Sequence, residues 1–259
     1  MTAYRLQLST IGYITATARP CEIDFVSASC PSSSADAVVV AFISQKGGVG
    51  KSTLARALLA VAAHGMKARL ADLDPRQASV VAWEQTRQRN ASLPPCEVAA
   101  YASLEEALAA SGDVDLLILD TPGGTSRTTA EIAHHAHLVV QPTGASADDL
   151  QPTVLTFHEL IQVGVPRERL VAAICRTLSA GEEAVVRAYV QDAGYEVLPG
   201  AISERIAYRE AQNRGQAITE TTVAALNKQA DALIEALLNK VADEIARATS
   251  THVKKQRKP

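Results

Sequence analysis

Eight consecutive residues of this 259-residue chain, Lys46-Gly47-Gly48-Val49-Gly50-Lys51-Ser52-Thr53, combine glycines, lysines and hydroxyls in an order suited to holding phosphate. Glycines let a backbone wrap close to an anion, so that successive N–H groups and the start of a following helix face it. In such a loop Lys51 neutralises the β- and γ-phosphate oxygens, the Ser52 hydroxyl ligates Mg²⁺ and Thr53 bonds the α-phosphate. One loop's phosphates need one well-placed lysine, so Lys46 at the loop's beginning is left over or serves another nucleotide.

Two further runs end in acids. Asp72-Leu73-Asp74-Pro75-Arg76-Gln77 closes one short apolar segment, and Leu116-Leu117-Ile118-Leu119-Asp120-Thr121-Pro122-Gly123-Gly124 carries a second from an apolar run into a glycine-rich loop. A carboxylate at the C-terminal end of a strand points into the crevice where open α/β sheets bind ligands. The second run looks like a Walker B strand, by which likeness Asp120 would hold Mg²⁺ directly or through water and Thr121 to Gly124 would form a loop that reorders with the γ-phosphate. Other conspicuous residues are assigned to packing or surface. His134, His135 and His137 lack a carboxylate or cysteine partner at metal-ligand spacing, Trp83 reads as a helix packing residue, and Cys96 and Cys175 as buried apolar side chains.

The elements that must position these groups follow from the apolar pattern. Val38–Ser44, Ala68–Leu73, Leu116–Asp120, Leu138–Gln141 and Leu170–Cys175 are continuous rather than alternating, which predicts strands buried on both faces. Between and after them lie Ala-rich helical stretches, Ser52–His64, Ala78–Arg89, Leu104–Ala110, Thr128–His134, Asp148–Val163 and Glu182–Ala193. A helix around Ser203–Arg214 and a long one from Thr221 to Arg247 follow, the latter with Leu226, Ala230, Leu233, Leu237, Val241 and Ile245 at helical spacing. The alternation predicts an α/β fold, a mostly parallel, twisted sheet flanked by helices on both faces. Residues 1–37, rich in Ser, Thr and Ala with the run Pro31-Ser32-Ser33-Ser34, read as a flexible leader too short for a helix-turn-helix domain. Residues 38–247 form the domain, and 248–259, with Lys254, Lys255, Arg257 and Lys258, a basic tail.

Composition narrows the functional classes. Aromatics are only 4% of the chain, which disfavours a base-stacking nucleic-acid platform. The four cysteines, Cys21, Cys30, Cys96 and Cys175, show no metal or disulfide spacing. No apolar run is long enough to span a membrane, and the N-terminus has no signal-peptide pattern, so a cytoplasmic protein is expected. The formal net charge of -3 conceals an asymmetry, since residues 201–259 are basic and residues 1–200 acidic. The basic part could meet a polyanion.

Together the motifs resemble the ParA/MinD family of deviant Walker ATPases, from about Val38 to the end of the long C-terminal helix, most closely the short ParA-type partition proteins without a helix-turn-helix. The family's signature lysine occupies the position of Lys46 and reaches across a nucleotide-sandwich homodimer to the partner's phosphates, as an arginine finger supplied in trans does. The resemblance implies ATP and Mg²⁺ as cofactors and hydrolysis of ATP to ADP and phosphate, with Lys46, Lys51 and Asp74 catalytic. Asp74 would orient the attacking water, and Asp72, Ser52 and Asp120 would serve the metal, although Arg76 is inserted before Gln77 in the family's D-x-D-P-Q pattern. Base contacts would fall near Arg176 and Pro199, while Asp148 and Asp149 read as helix-start acids. By the same resemblance Arg205, Arg209 and Arg214 would contact non-specific DNA on the nucleoid, and a centromere-binding or cargo-adaptor protein would stimulate hydrolysis. The cargo could be a plasmid, a chromosome, a conjugation complex or a chemoreceptor cluster. A MinD-like membrane cycle needs a terminal amphipathic helix, and only Val253 is a sizeable apolar residue after Arg247. Stable membrane binding is therefore not expected. A small-molecule synthetase of related fold is the remaining alternative, and an iron-protein role lacks cluster-ligating cysteines.

Overall fold

The structure is a computed structural model and describes residues 4–8, 14–18, 37–123 and 126–256. In chain order the elements are β1 (Tyr4–Leu8), β2 (Ile14–Ala18), β3 (Val38–Phe42), α1 (Lys51–Ala62), β4 (Ala68–Asp72), α2 (Ser79–Gln88), β5 (Glu97–Ala100), α3 (Leu104–Ala109), β6 (Leu116–Asp120) and α4 (Ser126–His135). There follow β7 (Leu138–Thr143), α5 (Ala147–Gln162), a 3₁₀ turn at Arg167–Arg169, β8 (Leu170–Thr177), α6 (Ala180–Asp192), β9 (Glu196–Val197), β10 (Ile202–Ser203), α7 (Ile206–Asn213) and α8 (Ala224–Gln256).

Eight strands form one sheet in the order β10-β8-β7-β3-β6-β4-β5, with β9 also beside β8, and every pairing is parallel. The continuous apolar strands are buried along their whole length because helices cover both faces. Residues of α1, α2, α7 and α8 pack with Val38, Val40, Phe42, Leu70, Leu116 and Ile118 on one side. Those of α3, α4, α5 and α6 pack with Val39, Ala41, Leu117, Leu119 and Ile174 on the other. The α8 stripe docks as its spacing predicts, with Ala230, Leu233, Leu237 and Val241 fully buried. Among the described residues no helix is long and apolar enough to cross a membrane, and no group of three or more His, Cys, Asp or Glu is placed to hold a metal ion.

β3 is central, between β6 and β7. Strands β4 to β6 are laid down on one side of it and β7 to β10 on the other, so the direction of winding reverses at β3. A crevice opens at the carboxyl ends of the strands at such a reversal. The loop after β3 and the ends of β4 and β6 converge there.

The structure departs from the pattern reading at several places, the short edge strands β9 and β10 among them. Residues 4–8 and 14–18, assigned to a flexible leader, pair as antiparallel strands; the alternation in Ile14-Thr15-Ala16-Thr17-Ala18 is the period-2 signal for this. The leader's Pro31–Ser34 run lies outside the described residues. β5 has no apolar run because it is a half-exposed edge strand. Finally, α8 continues through the first part of the basic tail to Gln256, beyond the expected end at Arg247, since no Gly or Pro interrupts residues 248–256; Arg257 and Lys258 lie outside the described residues.

Candidate functional site

The glycine-rich loop leaves β3 and turns directly into α1. Gly48 and Gly50 have φ of +77° and +116°, conformations that glycine adopts without steric cost. At Gly50, the N-cap of α1, a Cβ would also stand 3.3 Å from Cys175 Sγ. Glycine is needed there twice over, for dihedral and for space. The Ser44 hydroxyl accepts from the backbone N–H of Lys46 and donates to its carbonyl, both at 3.0 Å, which pins the loop's first residue. Gly47 begins the exposed turn, and Val49 is buried beneath it.

The two lysines part company. Lys51 lies buried in the loop, where desolvation lowers its pKa against the opposing pull of Asp120 and Asp74. Lys46 turns outward and its Nζ meets Asp149 Oδ1 of α5 at 2.6 Å, with the lysine side chain 47% exposed. Asp149 also accepts from Ser146 Oγ at 2.8 Å. Burial alone would raise this carboxyl, but the hydrogen bonds from Lys46 and Ser146 outweigh it and hold the group below the ordinary carboxylate range. Asp149 thus does more than start a helix.

Ser52 stands beside Asp120, which ends β6, where its hydroxyl favours the ionised carboxylate. Burial pushes the Asp120 carboxyl up to about 6, against the favourable Ser52 hydroxyl and the nearby Arg56 and Lys51 charges. Its Oδ1 is buried without a hydrogen-bond partner. An orphaned carboxylate oxygen beside a loop serine is a donor set that a hard divalent cation satisfies. The loop that follows is tied back by Thr121 Oγ1, which donates to the Phe42 carbonyl at 2.8 Å. Gly123 lies close to the phosphate loop, so that a Cβ there would stand 3.6 Å from the Gln45 carbonyl.

Asp72 differs from its expected role as a metal support. Its Oδ1 accepts from the Asp74 N–H at 3.0 Å and its Oδ2 from the Val80 N–H at 3.2 Å, so it braces the β4–α2 turn. Asp74 sits in that turn, accepts weakly from Gln77 N at 3.3 Å and lies near enough to Lys51 to act on its charge. The extra residue Arg76 is exposed, and the turn closes with Ala78 in the left-handed region at φ 45°.

Arg176, at the end of β8, has a positive φ of 60°, uncommon for a side-chain-bearing residue and concentrated at functional sites. Its Nη1 donates to the Gly48 carbonyl at 3.0 Å, and its Nε to Glu204 Oε2 at 2.8 Å, a bond that raises its pKa. It therefore lies over the phosphate loop. Pro199 is not brought there. β9 pairs beside Val171–Ala172 and β10 beside Cys175–Thr177, which sets the Pro199–Gly200 turn midway along the sheet edge, pressed on Leu233 of α8. The backbone that does reach the mouth beside Arg176 is Ser203 to Arg205.

Arg205, Arg209 and Arg214 are all exposed on or beside α7. Arg209 and Arg214 stand 4.0 and 3.9 Å from Glu204 and Glu210, at the limit of an ion pair, and such exposed pairs are worth about 0–1 kcal/mol. Arg205 and Arg209 share a side of the helix, whereas Arg214 at its C-cap lies about 140° further round.

The sequence patterns did not point to several residues around the site. Arg56 of α1 donates to Gln212 Oε1 of α7 at 3.0 Å and to the Ser79 carbonyl at 2.8 Å, over the Trp83 ring. Arg87 of α2, with no exposed side-chain surface, forms a bidentate pair with Glu220 at 2.6 and 2.7 Å. These partners are far apart in sequence, and no spacing rule joins them.

The family described as the CobQ/CobB/MinD/ParA nucleotide binding domain matches residues 40–256. The chain belongs to that family. Among relatives, the Maintenance of carboxysome distribution protein A of Gloeobacter kilaueensis is 29% identical over 185 residues, covering 70% of this chain and 84% of that protein. Among solved structures, a putative plasmid partition protein from Borrelia burgdorferi bound to AMPPNP covers 79% of this chain and 99% of its own, at 16% identity and a TM-score of 0.61. A chain of the MinC:MinD cell division protein complex of Aquifex aeolicus matches over 78% of this chain and 96% of its own, at 18% identity and a TM-score of 0.63. At that identity the structural likeness carries the fold, and the family match carries nucleotide binding.

Proposed function

We propose that this member of the ParA/MinD family is a positioning ATPase that binds Mg²⁺ and ATP, dimerises on the nucleotide, coats DNA without sequence preference and is released when a cargo-bound partner stimulates hydrolysis. The observation that carries the reading is the division of labour between the two lysines. Lys51 is buried under its own loop, whereas Lys46 is directed out of it and held at the surface by Asp149. A cation that leaves its own phosphate loop is available to a second nucleotide, and dimerisation and hydrolysis then depend on each other.

Within that reading the loop amides of Gly47 to Gly50, with Lys51 and Thr53, hold the phosphates. Ser52 and Asp120 hold the metal, whose chemistry when bound is to neutralise charge on the β- and γ-phosphates. Asp74 orients the attacking water, Asp72 fixes the turn that carries it, and Arg176 guards the mouth of the loop. Arg205 and Arg209 contact phosphates of DNA, with Arg214 at the edge of the surface.

Segregation of plasmid or chromosomal DNA is the cargo that the resemblance first suggests. The relative named for carboxysome distribution favours a second cargo, a protein assembly carried by an adaptor. Both share the nucleotide and DNA steps, which one experiment addresses. Sedimentation with a non-hydrolysable ATP analogue, Mg²⁺ and duplex DNA of arbitrary sequence should show co-migration. The logarithmic salt slope should fall by about 0.9 for each arginine–phosphate pairing that Arg205→Ala or Arg209→Ala removes. An unaltered slope moves the DNA surface elsewhere. Co-migration with anionic vesicles instead of DNA would overturn the choice in favour of a membrane cycle, and turnover that requires a small metabolite would favour a synthetase.

A further inference from the structure

Helix α7, which carries Arg205 and Arg209, is tied to the phosphate-binding helix through a single acceptor atom. Gln212 Oε1 accepts from Thr53 Oγ1 at 3.3 Å and from Arg56 Nη1 at 3.0 Å. In the nucleotide reading of the loop Thr53 is also the hydroxyl that bonds the α-phosphate, and a threonine hydroxyl has one proton to donate. Phosphate and Gln212 therefore compete for it.

Arg56 does not share that conflict. Its guanidinium joins α1 to two further elements, to α7 through Gln212 and to α2 through the Ser79 carbonyl and the Trp83 ring, whose centroid is 5.8 Å away. Asp72 holds the same start of α2 through the Val80 N–H and the Asp74 turn through its own N–H. Arg56 thus stands at the junction of the nucleotide loop, the helix behind Asp74 and α7. Among the other ties of α7 and its C-terminal loop, the weak pair of Arg209 with Glu204 reaches the Gly48 carbonyl only by way of Arg176, and two more lead away from the phosphates. Tyr208 donates to the Leu226 carbonyl at 2.8 Å, and Gly215 rests on the backbone of Arg87, where even a Cβ would come within 2.4 Å.

We infer that Gln212 and Arg56 are positioning residues that convert nucleotide occupancy into the setting of α7. With the loop empty, Thr53 and Arg56 together hold Gln212 and keep α7 against α1. With nucleotide bound, the Thr53 proton turns to the phosphate, Gln212 keeps Arg56 alone, and α7 with its arginines is released to a second setting. The inference rests on the nucleotide reading of the loop and adds to it a named route from that loop to the basic surface.

Hydrogen exchange of the full chain tests it, with and without Mg²⁺ and a non-hydrolysable ATP analogue, and with nucleotide binding measured on the same samples by a fluorescent ATP analogue. In the wild type, amides of α7 should exchange about three- to tenfold faster on nucleotide binding, the factor set by one net hydrogen bond. Gln212→Leu should bind nucleotide normally while its α7 exchanges at the faster rate in both states. Arg56→Lys retains the cation near Asp120 but loses the fork to Ser79 and Gln212, while the Thr53 bond to Gln212 stays; a fold-intact Arg56→Lys protein should therefore start from faster α7 exchange without nucleotide and still respond to it. Normal nucleotide binding with α7 exchange unchanged in the wild type, or with the wild-type response preserved in Gln212→Leu, overturns the inference and leaves the nucleotide reading standing. Failure of the wild type to bind ATP overturns both.

Discussion

Replacement of Asp149 by Asn removes the charge that holds Lys46 and leaves the shape intact. The isosteric change is required because the carboxylate is tightly packed: a Cβ on Gly144 would lie 2.5 Å from its Oδ2. The ion pair is short at 2.6 Å, but the lysine is 47% and the aspartate 16% exposed, so screening limits its worth to about 0.5–1 kcal/mol. If Lys46 must leave Asp149 before reaching a partner's nucleotide, each protomer forfeits that amount on dimerising, and two latches oppose the dimer by about 1–2 kcal/mol. Asp149→Asn should therefore strengthen nucleotide-dependent dimerisation by about 5- to 30-fold. Sedimentation velocity across a concentration series, with Mg²⁺ and a non-hydrolysable ATP analogue, measures the constant directly. The gain over wild type should shrink as salt is raised, because the pair is partly exposed. Lys46→Gln, which lacks the cation altogether, should lose the dimer. An Asp149→Asn protein with normal melting and nucleotide affinity but no stronger dimer would refute the idea that Asp149 restrains Lys46.

Three further outcomes are expected. Asp120 has its folded-state pKa raised to about 6 from an ordinary 3.8, so the native protein keeps this proton longer than the unfolded chain and its stability falls as pH rises between those values. Asp120→Asn should accordingly raise the melting temperature of metal-free protein at pH 8, by up to about 2–3 kcal/mol in stability, and change little near pH 4; destabilisation at pH 8 would show that burial of this charge is not the dominant effect. Gly215→Ala adds a Cβ at φ 74° that meets the Arg87 backbone within 2.4–2.5 Å and should cost about 2–4 kcal/mol in a urea melt, whereas a neutral result would mean that the loop after α7 does not rest on α2. Glu220→Gln strands the fully buried Arg87 and should destabilise by about 3 kcal/mol, while Arg87→Met combined with Glu220→Leu should recover most of the loss; equal losses in the single and double variants would deny that the stranded charge is the cause.

The sequence by itself determined the parts of this protein whose physics is local. Continuous apolar runs such as Val38–Phe42 and Leu116–Asp120 declare strands covered on both faces, and the stripe from Leu226 to Ile245 declares a docked helix. The run Lys46 to Thr53 declares a phosphate loop, because glycine dihedrals, a helix start and a lysine must occur together there. Arg176 is marked near the site only by the family resemblance, which marks Pro199 as well. What the tertiary structure alone decided were the partners. Asp149 meets Lys46 across 103 positions, Gln212 meets Arg56 across 156 and Glu220 meets Arg87 across 133. No periodicity encodes such pairs, since they arise only when parallel crossovers bring distant helices and loops together around the sheet. The same packing moved Pro199 away from the mouth and put Glu204 beside Arg176, because the edge strand resumes at Ile202 opposite Cys175. Local chemistry specified the loop that would hold a nucleotide, and the topology of the sheet chose the residues that restrain it.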